Sequence, residues 1–114
     1  MISVWRPIKT ILKDPLAVAD AHSTPESDLF PVKIHFPDRE VEGWAVKADP
    51  QLKWYYRYKQ PPDMVTLIKL FDSKLDGRAR RVPHTAFVNP ATEHEAPRES
   101  IELRALIFHP DDPN

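Results

Sequence analysis

The sequence of 114 residues contains no cysteine, and this absence removes several kinds of chemistry at once. Without a thiol the chain can form no disulfide, no thiolate nucleophile, no cysteine-ligated zinc site and no iron–sulfur cluster. Any metal site must therefore use His, Asp and Glu side chains, which suit non-haem iron or manganese.

Glycine is nearly as scarce, with two residues against thirteen prolines. Proline removes a backbone donor and breaks the interior of a helix, so the spread of prolines leaves no interval for a long amphipathic helix. Short strands joined by proline turns are the better interpretation, and we expect a mainly β protein. This length suffices for one modest core and not for two, so we predict a single domain over residues 1–114.

The sequence also lacks an excess of charge and any long apolar run. Its formal net charge is −1, whereas a nucleic-acid surface needs a basic patch that faces the phosphates. No run approaches the ~20 apolar residues of a membrane-spanning helix, and the N-terminus shows no signal-peptide layout. We therefore predict a cytoplasmic protein with no nucleic-acid partner and no membrane partner.

Local patterns predict six or seven short strands and one short helix. Asp14 is a good N-cap and Pro15 suits the first helical position, so we predict the helix over residues 14–22. Residues 61–73 are ambiguous, because Pro62-Asp63 could open a helix while the β-branched and aromatic residues favour a buried strand, which we prefer. The remaining strands are predicted at residues 2–6, 31–36, 43–47, 52–58 and 98–108, with extended chain over 78–87.

The last predicted strand alternates polar and apolar residues, and alternate side chains of a strand share a face. The polar set would face solvent and the apolar set the core. The polar set is Arg98, Ser100, Glu102 and Arg104, and the apolar set is Ile101, Leu103, Ala105 and Ile107.

The same strand also allows a sharper hypothesis, a carboxylate anchor. An arginine grips a carboxylate through two parallel charge-assisted hydrogen bonds, and Ser100 would add a third donor on the face of Arg98. His84, which precedes this strand, has two interpretations as well. It is either an ordinary loop histidine or a metal ligand that faces a bound carboxylate.

The blocks "VWRPI…DPLAVADAHS", "WYYRYKQPPDMVTLIKLFDS" and "PHTAF…PRESIELRALIF" together extend over nearly the whole chain. They resemble the fungal hydroxylase/desaturase family that includes asaB-type and cephem-methoxylase-like proteins. The resemblance implies a partial jelly roll (double-stranded β-helix) that corresponds to the C-terminal part of these oxygenases. It also implies Fe(II) and 2-oxoglutarate as cofactors, and a small-molecule secondary metabolite as the substrate.

Carried over residue by residue, the resemblance implies three roles. His84 matches the later histidine of a 2-His-1-carboxylate iron triad. Arg98 and Ser100 match the 2-oxoglutarate anchor, with Arg104 as a second candidate. The implied chemistry couples oxidative decarboxylation of 2-oxoglutarate to removal of hydrogen from an unactivated C–H bond, but no residue here is assigned as catalytic.

Two aromatic residues, Tyr55 and Tyr56, are candidates for substrate binding, although core packing explains them at least as well. The family's His-x-Asp/Glu pair lies upstream of the "VWRP" block, outside these residues. His109-Pro110-Asp111 has the right spacing but follows the arginine strand, where a solvated tail is the simpler interpretation. We therefore expect an incomplete triad in a chain that is truncated relative to the family.

Three hypotheses follow, and they leave open whether this chain is an enzyme. The first is an oxidoreductase of fungal secondary-metabolite biosynthesis, of hydroxylase/desaturase type. The second is a metal-independent small-molecule-binding protein without redox activity and without a cofactor. The third is a structural or interaction module with the aromatic "WYYRY" strand as its contact surface. Separately, the open sheet edges could pair two copies of the chain in a homodimer.

Overall fold

The computed structural model describes residues 1–110. Short strands dominate this range, with single turns of 3-10 helix at Ala21–Ser23, Glu26–Asp28 and Pro90–Thr92. The prediction of a mainly β protein is confirmed. Asp111 of the His109-Pro110-Asp111 triplet lies outside the described residues. The eight strands are β1 (Ile2–Pro7), β2 (Leu16–Ala19), β3 (Leu29–His35), β4 (Glu40–Val46), β5 (Trp54–Tyr56), β6 (Thr66–Lys69), β7 (His84–Ala86) and β8 (Ser100–Ala105).

The helix predicted over residues 14–22 is wrong for most of its length. Leu16–Ala19 form strand β2, and only Ala21–Ser23 form a 3-10 turn, with the Asp20 side chain accepting from the His22 main-chain N–H. Asp14 has a positive φ of 50° and does not lead into a right-handed helix. Pairing of β2 with strands on both sides outweighs the helix propensity of its alanine and leucine residues.

The ambiguous segment 61–73 contains strand β6 at Thr66–Lys69, so the preferred interpretation is confirmed. Ile68, in the middle of this strand, is 3% exposed. The last strand is shorter than predicted and spans Ser100–Ala105.

The strands form two three-stranded antiparallel sheets and one two-stranded hairpin. The first sheet has the order β6-β1-β8, the second β5-β2-β7, and the hairpin pairs β3 with β4. In the first sheet Trp5 lies opposite Thr66 and Glu102. In the second sheet Val18 lies between Tyr55 and His84.

The two faces of the first sheet differ sharply in burial. Ser3 is 0% exposed and Trp5 is 5% exposed, so their face points into the protein. On β8 this face carries Ser100 and Glu102, because cross-strand partners share a face. Polar residues of β8 therefore point inward.

The prediction that the apolar set of the last strand faces the core is wrong. Leu103, paired with Val4, is 65% exposed, and Ile101 is 59% exposed. Ala105 is half-buried, and Ile107 lies beyond the strand and is also exposed. The cause is the register with β1, whose small and aromatic residues face the core. Nothing within residues 1–110 covers the opposite face.

The second sheet turns one face toward the first. Leu16 packs against the buried cluster of Trp5, Ile11 and Ile68. Val18 is two positions from Leu16 and shares its face, and His84 is the cross-strand partner of Val18. The register therefore places His84 on the face of the second sheet that looks toward the first.

Candidate functional site

His84 is the first residue of β7 and its ring is fixed by the main chain. Its Nδ1 lies 3.0 Å from the carbonyl oxygen of Val82. A carbonyl oxygen only accepts hydrogen bonds, so this contact requires a proton on Nδ1, and in the neutral ring the lone pair is then on Nε2. Metal-binding histidines are typically oriented by such a bond from the other ring nitrogen.

The described residues do not complete a metal site around this histidine. No group of three or more His, Asp or Glu side chains within residues 1–110 is arranged to hold a metal ion. Other histidines pair with neighbouring carboxylates at the surface, His22 with Asp20 and His35 with Glu40. The described residues therefore lack a complete three-ligand iron site, and His84 remains the candidate ligand among them.

Arg98 precedes β8 and is half-buried against the inner side of the first sheet. Its Nη1 donates to the main-chain oxygen of Asp14 at 2.8 Å, and its Cζ lies 5.5 Å from the centroid of the Trp5 ring. Neither partner is an anion, and within residues 1–110 no carboxylate pairs with this guanidinium. The positive charge of Arg98 is therefore held at the sheet interior without neutralisation. Ser100, two positions on, is half-buried opposite Pro7.

Arg104 differs from Arg98 in both exposure and charge balance. Its side chain is 64% exposed, and its Nε donates to Glu102 Oε1 at 3.0 Å. This carboxylate already balances the charge of Arg104. Of the two candidate anchors, the geometry favours Arg98 for binding an added anion.

Glu102 is a residue to which the sequence patterns assigned no role. The hydroxyl of Ser3 donates to its Oε1 at 2.8 Å. This bond lowers the pKa of the Glu102 carboxyl below its usual range, together with the bond from Arg104 and a contribution from the charge of His84. The interaction with His84 agrees with the register, which places the two residues on the facing sides of the two sheets, where both remain exposed. The alternation of β8 would have indicated Glu102 as a residue of the candidate site if the direction of the inner face had been known.

The two tyrosine candidates lie on opposite faces of β5. Tyr55 is the cross-strand partner of Val18 and therefore shares the inner face with His84. Tyr56 points to the other face, where its ring meets Phe87 edge to face with centroids 5.0 Å apart. The structure thus brings Tyr55, and not Tyr56, to the side of the sheet that carries His84.

Comparison with known proteins shows the family to which the chain belongs. A protein-family model described as an oxidoreductase/YMDC permease-like domain matches residues 1–108. The chain belongs to this family. None of the helices within residues 1–110 has the length and apolar character needed to cross a membrane.

Curated relatives connect this oxidoreductase/YMDC permease-like domain to fungal hydroxylases and desaturases. Hydroxylase/desaturase efuI of Hormonema carpetanum is 44% identical over 97% of this chain and 41% of its own length. Hydroxylase/desaturase asaB of Aspergillus flavus is 41% identical over 99% of this chain and 56% of its own length. The resemblance to the fungal hydroxylase/desaturase family is confirmed, and the chain spans about two-fifths to just over half of these relatives.

A solved structure supports the fold of the domain. The iron and alpha-ketoglutarate-dependent endoperoxidase NvfI superposes with a TM-score of 0.77 at 34% sequence identity. The match covers 89% of this chain and 38% of that protein. The prediction of a partial jelly roll is confirmed.

Proposed function

We propose that this chain carries the 2-oxoglutarate-anchoring part of an iron(II)- and 2-oxoglutarate-dependent hydroxylase or desaturase of fungal secondary-metabolite biosynthesis. The observation that carries the proposal is Arg98, a half-buried guanidinium that no carboxylate within residues 1–110 neutralises. 2-Oxoglutarate supplies the missing anion, because each of its two carboxylates suits the planar fork of an arginine.

The contacts of Arg98 leave one edge of its guanidinium for a ligand. Nη1 is bound to Asp14, so Nε and Nη2 remain as two parallel donors that match the two oxygens of a carboxylate. The Ser100 hydroxyl would add a third donor, and Arg104 is the second candidate. Tyr55 lies on the inner face with His84 and is the better placed of the two tyrosines to contact a small-molecule substrate, with Tyr56 as the alternative.

Among the described residues, His84 is the one that we propose as an iron ligand. Its Nε2 would be one ligand of a 2-His-1-carboxylate site, in which iron supplies the redox chemistry. The described residues do not supply the complete set, so further ligands are needed. Most of the length of efuI, and nearly half of asaB, lies outside the matched region, and we propose that the equivalent of that region supplies them.

The anchor is tested by titrating the purified protein with 2-oxoglutarate in a calorimeter. Arg98→Ala should weaken binding by about 2 kcal/mol, the lower end of the cost of removing one partner of a buried ion pair, because Arg98 is only half-buried. Arg104→Ala, in strand β8, is the control, and it should change the affinity little because Glu102 already balances the charge of Arg104. Absence of binding, or binding that is indifferent to Arg98, contradicts the proposal.

A second candidate is a metal-independent small-molecule-binding protein without redox activity. It is favoured by one specific observation, the lack of a three-ligand group within residues 1–110. Adding Fe(II) under anaerobic conditions separates the two when the protein also contains the equivalent of the unmatched region of efuI. Iron bound through His84 and the added ligands should then tighten 2-oxoglutarate binding, and His84→Ala should remove that effect. Binding that ignores both iron and His84 favours the second candidate.

We also propose that the chain forms a homodimer and is located in the cytoplasm. Strands β6 and β8 are the outer strands of the first sheet, and β5 and β7 those of the second. Outer strands present unpaired main-chain groups that a second copy could pair with. Light scattering at rising protein concentration tests the dimer, and a strict monomer also counts against an interaction module. Fractionation of cells that produce the tagged protein tests the location.

A further inference from the structure

Asp14 has a backbone conformation that L-amino acids other than asparagine and aspartate rarely adopt. Its φ of 50° lies in the left-handed region, and Pro15 follows it. Such a conformation is unfavourable for a residue with a side chain, because Cβ crowds the neighbouring carbonyl oxygen. It persists only when surrounding contacts hold it in place, and such residues are concentrated at functional sites.

The contacts around Asp14 fix the segment that carries the chain from the first sheet to the second. Ile11, three residues earlier, is 3% exposed, and its main-chain N–H donates to the oxygen of Gln60 at 3.1 Å. Lys13 donates through Nζ to the main-chain oxygen of Glu93 at 2.8 Å. Strand β2 begins at Leu16. Asp14 is therefore held from both sides, and its carbonyl oxygen accepts from Arg98 Nη1.

The Asp14 carbonyl and the Trp5 ring restrain Arg98 along two different directions. The carbonyl binds one end of the guanidinium at 2.8 Å, and the ring, buried in the core, supports Cζ at 5.5 Å. An arginine side chain that makes no other contact loses rotamer entropy when it binds a ligand. A guanidinium that is already held in place loses less entropy and therefore binds the ligand more tightly. Neither contact neutralises its charge.

We propose that the main-chain carbonyl of Asp14, turned toward Arg98 by the left-handed backbone, is a positioning group that sets the affinity of the site for its carboxylate ligand. The inference rests on the proposed function of Arg98 as a 2-oxoglutarate anchor. The group that acts is the carbonyl of Asp14, and its side-chain carboxylate is not required.

The chain offers a matched control for this backbone conformation. Lys59 has a φ of 49°, and its Nζ lies over the Tyr58 ring. It is not a partner of Arg98 in the described part of the chain. The experiment measures the dissociation constant of 2-oxoglutarate by calorimetry, well below the unfolding temperature of each variant, and measures the free energy of unfolding in parallel. The variants are Asp14→Gly, Asp14→Asn, Asp14→Val, Lys59→Gly, Lys59→Val and Arg98→Ala.

Glycine and asparagine both tolerate the left-handed region, so Asp14→Gly and Asp14→Asn should keep the dissociation constant within about twofold. Valine is β-branched and strongly disfavours that region, so Asp14→Val should turn the carbonyl away. Loss of one hydrogen bond to a charged group should then weaken binding about tenfold. Lys59→Val should lower stability in the same way and leave the dissociation constant within about twofold.

The outcomes separate this inference from the proposed function. If Arg98→Ala removes binding while Asp14→Val does not weaken it, the anchor stands and the positioning role of Asp14 is wrong. If Asp14→Gly and Asp14→Asn weaken binding as much as Asp14→Val, the carboxylate acts and the carbonyl does not, which also overturns the inference. If Arg98→Ala changes nothing, the proposed anchor itself is wrong, and with it the role of Asp14.

Discussion

The contrast between the two faces of the first sheet gives the most direct test of this fold. Ile68 on β6 points inward and is 3% exposed, whereas Leu103 on β8 points outward and is 65% exposed. Both residues lie in strands that flank β1 in the same sheet, and both side chains have four carbon atoms. Replacing each by alanine therefore removes the same number of side-chain carbon atoms from two different environments.

The expected costs differ several-fold. Truncation of a fully buried isoleucine to alanine costs about 2–5 kcal/mol, through lost burial and the cavity left behind. The core around Ile68 consists of Trp5 and Ile11, with Leu16 and Leu70 packed against it, so few neighbours could collapse into the space. We expect about 3 kcal/mol for Ile68→Ala. Leu103 buries only a third of its surface, and its truncation should cost about 0.5–1 kcal/mol.

The assay is urea unfolding of both variants beside the parent protein, followed by tryptophan fluorescence. A change in midpoint at constant slope gives the difference in the free energy of unfolding. A loss of 2 kcal/mol or more for Leu103→Ala would refute the reasoning, because the outer face would then be covered in solution. If a second copy covers it, the parent midpoint must rise with protein concentration. A midpoint independent of concentration would point to cover from the same polypeptide.

Three further predictions concern charge and the hairpin. A hydrogen bond from Lys69 Nζ at 2.8 Å, with a second from the Lys74 main chain, lowers the pKa of Asp72 to about 2. The stability that comes from this depressed pKa is present above pH 4 and is lost as pH falls toward 2, so Lys69→Met should flatten the acid side of the stability profile. Ser3→Ala should raise the pKa of Glu102 toward its usual value, which a carboxyl NMR titration would detect. Arg81 Cζ lies 4.3 Å from the Trp44 ring centroid, so Trp44→Leu should speed amide hydrogen exchange in β3 and β4 and leave β1 unchanged.

The sequence predicted the strands with strong β character better than it predicted the β2 region. Segments such as 2–6 and 31–36 are rich in β-branched residues, and strands form there. The segment Leu16–Ala19 has helix-favouring residues after a good cap, yet it is the central strand of the second sheet. Its partners lie more than thirty residues away in sequence at Tyr55 and more than sixty at His84. No local pattern carries that information.

The alternation of β8 was recognised correctly, but alternation alone does not state which face is inside. A strand with apolar residues on one side is normally taken to bury that side. Here β1 decides, because Ser3 and Trp5 point inward and antiparallel pairing forces Glu102 and Arg104 to the same face. The polar face of β8 is therefore the one on which we propose the carboxylate anchor, and residues 1–110 do not cover its apolar face.

A binding site on the inner face of a sheet requires this arrangement, in which the polar residues of β8 face inward and its apolar residues face outward. A site for a dianion needs cationic and hydroxyl side chains that point into the fold, where water competes less and each charge-assisted hydrogen bond gains strength. In an ordinary amphipathic strand, Arg98 and Ser100 would lie on the solvent-exposed face. A carboxylate bound there would be stabilised by at most the ~1 kcal/mol of an exposed ion pair. The same register that exposes Leu103 is therefore the one that the proposed anchor at Arg98 requires. Arg104 shares that face, but Glu102 already balances its charge. The choice between the two arginines depended on this tertiary contact and could not be read from their spacing.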